Sequence, residues 1–254
     1  IFSNAKNKVT ELKSDANVMS MISGSGFALE GNPVRSLYSL NFQGLNKEGL
    51  PTFINEKGEL TVTDINFQER ENKSHLVYEG STDPTITGSF GNIFSYKGFK
   101  LNVFMTYSFG NVIRLDPVFH NAYSDLDATP REFKNRWTVA GDEKITTVPV
   151  IADLRQNTMN SYLNKAYNAY NYSTERIAKG DFIRMKEISV TYEFPKTMVS
   201  KLSLSNLSLK IQGTNLFLLY ADKKLNGQDP EFFNSGGVAV PVPKQFTLTL
   251  RLGI

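Results

Sequence analysis

Few side chains in this sequence are equipped for covalent chemistry. It contains no cysteine, which removes disulfide frameworks, cysteine-ligated zinc, iron–sulfur clusters and thiol nucleophiles together. Its two histidines, His75 and His120, have no ligand motif around either and read as solvated or hydrogen-bonded loop residues. The acidic pairs Asp142-Glu143 and Asp125 with Asp127 have the chemistry to bind calcium or exchange protons, but no binding loop surrounds them and they read as solvated charges. Asn55-Glu56-Lys57-Gly58-Glu59 has the outline of a calcium loop, yet Lys57 and the missing aspartates make it a turn. Gly24-Ser25-Gly26 begins like a dinucleotide fingerprint, but Leu29 stands where the third glycine belongs. Neither Gly-x-Ser-x-Gly nor HExxH occurs. The chain therefore reads as a non-enzyme without catalytic residue, metal or cofactor.

What remains is recognition chemistry. The stretch 111–180 carries Trp137, Arg155, Tyr162, Tyr167, Asn168, Tyr170 and Asn171, and flat aromatic rings beside amide and guanidinium donors suit sugar or peptide binding. The same tyrosines suit packing the segment against itself or against a protein partner, which is the favoured reading, and the residue types leave both open. Basic and acidic residues are interspersed, with a net charge of +3, so no nucleic-acid partner is signalled.

The elements that must position these residues are strands. Aromatics make up 12% of 254 residues, a bias toward β-structure. From Gln245 to Ile254 the alternation is complete, with Phe246, Leu248, Leu250, Leu252 and Ile254 on one face and Gln245, Thr247, Thr249, Arg251 and Gly253 on the other. Thr85 to Asn111 reads as a long hairpin turning near Tyr96-Lys97-Gly98, with Phe99, Leu101, Val103, Met105, Tyr107 and Phe109 aligned on its second arm. Asp181 to Phe194 and Leu207 to Leu219 alternate as well, and Ile1 to Leu12 and Val34 to Leu45 do so partly. The intervening stretches, about 46–84, 111–180 and 221–244, read as long loops without strong periodicity.

The longest apolar run, Leu216 to Ala221, is far short of the roughly 20 residues of a membrane-spanning helix. A membrane β-barrel hides its apolar surface in alternate residues, so negative mean hydropathy does not exclude one. Placing Ile254 on the periplasmic side puts the short connections in the periplasm and the long ones outside, as in outer-membrane barrels. It also makes Lys13 to Asn32 a long periplasmic turn. Arg184 and Lys186 then share the lipid face with Ile188 to Phe194, but at headgroup height. Tyr96, Phe99, Tyr192 and Phe194 mark one aromatic girdle and Tyr107 and Phe109 the other. The lumen face is expected to comprise Lys100, Asn102, Glu187, Ser189, Thr191, Thr247, Thr249 and Arg251. Counting both weaker strands gives an odd number, which implies N-terminal strands outside this chain, and the opening Ile1 fits a processed chain or fragment. Pattern alone favours the barrel but also admits a secreted soluble β-sandwich, an adhesin or carbohydrate-binding module.

Several strings taken together resemble one family. Gly180 to Tyr192, followed by Phe194-Pro195, looks like a strand near the C-terminus of SusC/RagA-type TonB-dependent transporters. Gly213-Thr214-Asn215-Leu216-Phe217, Asp229-Pro230-Glu231 and Pro243-Lys244-Gln245-Phe246-Thr247 resemble the segments that follow it, and Gly31-Asn32-Pro33-Val34 and Tyr96-Lys97-Gly98-Phe99 resemble earlier ones. Ile254 departs from the aromatic residue with which such barrels usually end. The resemblance implies an all-β fold, the C-terminal portion of an antiparallel transmembrane barrel of about 22 strands whose plug lies elsewhere. It implies import of oligosaccharides or peptides across the outer membrane of a Bacteroidota bacterium. It also implies a SusD-like surface lipoprotein, the TonB–ExbB–ExbD system and outer-membrane lipids as partners.

Overall fold

The computed structural model describes residues 1–24, 26–118, 129, 131–233 and 242–254. A short strand β1 (Phe2–Asn4) is followed by helix α1 (Val18–Ile22) and five brief strands, β2 (Ser36–Leu40), β3 (Phe42–Leu45), β4 (Pro51–Ile54), β5 (Leu60–Thr61) and β6 (Leu76–Ser81). The long hairpin β7 (Ile86–Tyr96) and β8 (Phe99–Phe109) comes next, then β9 (Val112–Arg114), helices α2 (Leu154–Met159) and α3 (Leu163–Asn171), and β10 (Ile177–Lys179). The chain continues through β11 (Phe182–Glu193), helix α4 (Lys196–Val199), β12 (Asn206–Ala221) and β13 (Gln245–Gly253).

Six of these strands form one antiparallel sheet in the order β1-β7-β8-β11-β12-β13. Lys97 (φ 44°) and Gly98 (φ 85°) both occupy left-handed backbone, the requirement of a two-residue hairpin turn that follows strand twist. At Gly98 a Cβ would also stand 2.8 Å from the Glu193 carbonyl oxygen. Eleven residues per arm, at about 3.3 Å each and tilted as in membrane barrels, give roughly 25 Å of height. Among the described residues the sheet is open, with β1 and β13 at its edges and no closed barrel.

The register puts like with like. One row crosses the sheet as Phe94, Leu101, Val190, Ile211 and Leu248; the adjacent row is Ile93, Asn102, Ser189, Gln212 and Thr247. One face is therefore largely apolar and the other largely polar, with Ile93, Phe104, Phe182 and Leu218 lying in polar rows and Asn92 in an apolar one. No described element covers the apolar face: Phe246 is 76% and Leu248 70% exposed. A β-sandwich would bury both against a second sheet.

The structure corrects several expectations from periodicity. Arg184 and Lys186 do not share a face with Ile188 to Phe194. Met185 pairs with Met105 but Glu187 with Phe104, so Lys186 is the extra residue of a β-bulge and the parity of β11 inverts there. Arg184, paired with Thr106, thus belongs to the polar face. The segment Ile1 to Leu12 contributes only β1 to the sheet, and β1 runs antiparallel to β7, toward the end where the long connections lie. Val34 to Leu45 is not a sheet strand of its own; β2 pairs with β6, β3 with β4, and β2 is buried along its whole length. Lys13 to Asn32 consequently sits with the long connections rather than at the hairpin end, and six strands, not seven, make the sheet.

The long connections are also not irregular. Met21, Tyr38, Leu40 and Phe53, between β1 and β7, pack with Val118, Phe133, Val148 and Tyr170, between β8 and β11, in one hydrophobic core at the end of the sheet. Each local element follows from its sequence. Helix α1 starts at Asn17, whose side chain accepts from the Ser20 amide at 2.8 Å, and buries Val18, Met21 and Ile22, spaced for one face. Helix α2 starts on an Asp153–Gln156 capping box, and α3 buries Leu163, Ala166, Ala169 and Tyr170. We call this part the outer module.

Candidate functional site

Two regions have the composition of a working surface: the polar face of the sheet and the outer module above it. On the polar face, Lys100, Asn102, Glu187, Ser189, Thr191, Thr247, Thr249 and Arg251 lie in adjoining rows, so the structure brings all eight together on one side. Four of them, Lys100, Asn102, Glu187 and Ser189, are cross-linked. Lys100 Nζ meets Glu193 at 2.6 Å, and Glu187 Oε1 accepts from Asn102 Nδ2 at 3.0 Å and Ser189 Oγ at 3.1 Å, with Lys210 Nζ 3.8 Å away. Such a face holds water and fixed charge while staying rigid.

The aromatic set of the outer module divides by burial. Tyr170 is fully buried in the core, with the ring of Phe42 edge-on to it at 5.6 Å. Burial pushes its hydroxyl well above the usual tyrosine range. Tyr167 donates to the Val150 carbonyl at 2.8 Å and is likewise raised by burial. Asn171 is 8% exposed and accepts from the Val118 amide at 3.1 Å. These three side chains are packed into the module, where they help hold α3 in place. Trp137 is half-buried, its Nε1 donating to Glu143 at 3.2 Å, and Asn168 is half-buried on α3. Arg155 and Tyr162 stand in solvent; Tyr162 is 71% exposed, with the Lys165 ammonium 5.0 Å from its ring centroid. The exposed surface around α2 also includes Leu154 at 84% and Met159 at 68%.

The acidic candidates are local caps. Asp142 accepts from the Thr138 and Val139 amides and the Thr138 hydroxyl, which holds its carboxyl below the usual range. Glu143 accepts from Trp137 and the Gly141 amide. Asn55 Oδ1 accepts from the amides of Lys57 and Glu59 in a turn between β4 and β5. His75 is 6% exposed, and burial lowers its pKa against the opposing pull of Glu56 and Glu69. His120, Asp125 and Asp127 lie outside the described residues.

Residue spacing did not reveal two buried ionic groups. Arg176, 3% exposed, pairs with Glu132 beside a cleft of about 670 Å³ lined by Arg136, Asp142, Glu143, Glu175 and Lys224. Arg184 pairs with Asp229 and Glu231 where β11 meets the last long connection. The only sequence signal for the second was the Asp229-Pro230-Glu231 string itself.

The comparisons with known proteins follow this geometry. No protein-family model matches the chain. It is 27% identical over 209 residues to TonB-dependent receptor P39 of Formosa agariphila, covering 75% of this chain and 18% of that protein. It is 24% identical over 246 residues to TonB-dependent receptor P3 of the same organism, covering 91% of this chain and 22% of that protein. The chain thus spans about a fifth of the length of the curated relatives it matches. Among solved structures it superposes on the RagAB peptide importer in its open-open state with a TM-score of 0.65 and 22% identity, over 97% of this chain and 25% of that one. With the RagAB peptide transporter the TM-score is 0.62 at 21% identity, over 91% and 24%. The chain is thus similar in sequence to part of two TonB-dependent receptors and in fold to part of the RagAB importer.

Proposed function

We propose that this SusC/RagA-like chain forms the C-terminal part, residues 1–254, of the barrel of a TonB-dependent transporter in the outer membrane of a Bacteroidota bacterium. The observation that carries this is the two-faced sheet, whose apolar side is bare and whose polar side is cross-linked, with every long connection at one end. A contiguous exposed face of Phe, Leu, Ile and Val is a liability in water and a requirement in lipid. Ile254 and the hairpin turn then lie at the periplasmic side, and the outer module faces the medium. The complete wall would have about 22 strands around a plug.

On this reading the protein performs no chemistry on its cargo. It imports oligosaccharides or peptides, with energy delivered by TonB–ExbB–ExbD and a SusD-like lipoprotein seated on the outer module. The relatives named as receptors and the neighbours named as peptide transporters support transport over catalysis. Lys100, Asn102, Glu187, Ser189, Thr191, Thr247, Thr249 and Arg251 hydrate the lumen and contact the plug. Arg155, Tyr162, Trp137 and Asn168 contact cargo or lipoprotein, supported from beneath by Tyr167, Tyr170 and Asn171. The test is fractionation of the full-length protein: it should enter the outer membrane, need detergent for extraction and migrate differently before and after heating in SDS. A native-folded protein soluble in plain buffer would overturn the proposal.

A further inference from the structure

Arg184 is 5% exposed, and both of its carboxylate partners come from one turn of the last long connection. Its Nη2 donates to Asp229, and its Nε lies 2.9 Å from a Glu231 oxygen. The Asp229 side chain is itself only 9% exposed. That turn is stiff for local reasons: Asp229 Oδ1 caps it by accepting from the Glu231 amide at 3.1 Å, and Pro230 occupies its first position. On the sheet side, the bulge at Lys186 turns Arg184 onto the polar face. Lys186 Nζ lies 3.7 Å from Glu231 and donates to Asn215 Oδ1 at 3.4 Å. Two cations of one wall strand therefore meet two anions of one turn, with Arg184–Asp229 as the buried half and Lys186–Glu231 as the accessible half.

The rest of the 222–233 segment is fastened to the outer module. Leu225 packs with Ile113, Leu115 and Ala178, Asp222 accepts from the Lys179 amide at 2.8 Å, and Asn226 donates to Glu132 at 3.2 Å. The segment is thus a strap with one end on the module and the other on the polar face of the sheet. Beside the ionic cluster is a cleft of about 560 Å³ lined by Thr87, Thr106, Ser108, Asn111, Lys186 and Glu231. The accessible half of the cluster is one wall of that cleft.

We propose that the Arg184–Asp229–Glu231–Lys186 cluster is a latch that clamps this strap to the inner side of the wall and so sets the position of the outer module. A charged group entering the cleft competes for Lys186 and Glu231, while Arg184 and Asp229 hold each other until that outer pair has parted. A buried ion pair suits such a device, because losing either partner leaves the other uncompensated. The assignment of the polar face to the lumen rests on the transporter reading; the strap and its clamp do not.

The test uses the full-length protein in outer membranes, with trypsin cleavage after the exposed Lys223 and Lys224 reporting strap release. Asp229→Asn should be cut at least tenfold faster than the parent while keeping its heat-dependent gel shift. Glu231→Gln and Lys186→Gln should be cut severalfold faster, and these decide the matter if Asp229→Asn does not fold. Parental cleavage rates in folded variants would overturn the latch, as would loss of the gel shift in all three, which would make the cluster part of barrel folding. A parent protein with no gel shift would instead contradict the transporter reading.

Discussion

Val190→Arg tests the two faces of the sheet most sharply when set beside Thr191→Arg, one residue away. Val190 lies in the row Phe94, Leu101, Ile211 and Leu248, in the body of the apolar face. Thr191 lies in the row Ser95, Lys100, Lys210 and Thr249. An arginine facing lipid costs about 2–4 kcal/mol at the bilayer midplane and about 0–1 near the interface, and at Val190, between the Tyr192 girdle and the midplane, about 1–3 kcal/mol is expected. At about 1.4 kcal/mol per tenfold, that is roughly a 5- to 140-fold loss in the inserted-to-unfolded ratio. At Thr191 the guanidinium keeps its water, so the change should stay within about 1 kcal/mol, repulsion from Lys100 and Lys210 included. The assay is urea-dependent folding of the full-length protein into lipid vesicles, read as the heat-modifiable fraction. Equal penalties at the two positions, or a tolerated Val190→Arg, would refute the reasoning.

Other outcomes follow from the bulge, the turn and the buried histidine. Deleting Lys186 should remove the bulge while leaving Arg184 on the polar face and Met185 on the apolar one, so folding yield in the same assay should stay close to that of Lys186→Ala; a far lower yield would refute the bulge assignment. Gly98→Val should destabilise the hairpin by at least about 1–2 kcal/mol, seen as a lower midpoint for loss of heat modifiability, because left-handed backbone penalises a Cβ and the Glu193 carbonyl crowds it. His75 has a folded pKa below its ordinary value, so the unfolded chain binds more protons once pH falls below about 6.5, and the outer module should lose stability from there downward. In His75→Leu, protease resistance of the outer module should no longer decline through that acid range.

The sheet was legible in the sequence wherever its two faces have opposite polarity. Gln245 to Ile254 alternates without fault because one side must be apolar and the other polar, and β13 is there. The same logic misplaced Val34 to Leu45: Ser36 to Leu40 is buried on both sides in the outer module, so its partial alternation carried no information about the main sheet. Period-2 reading also fails at a bulge, since one extra residue inverts every assignment beyond it, as it did for Arg184. The core joining Met21 and Phe53 to Tyr170 depends on contacts across more than a hundred residues, which no local window samples. The aromatic candidates were ambiguous because a tyrosine in a ligand site and a tyrosine in a core are the same residue type. Only burial separates Tyr170 from Tyr162.

The most direct test of the account is a cysteine scan along β11, a segment of a chain that has no cysteine of its own. Single cysteines at 188 to 192 in the membrane-embedded full-length protein, any others replaced, would carry spin labels read for contact with lipid-soluble oxygen and a water-soluble relaxation agent. The account predicts strict alternation, with lipid contact at Ile188, Val190 and Tyr192 and water contact at Ser189 and Thr191. Labels that see water at all five positions, or that are shielded from both agents at Val190, would contradict it.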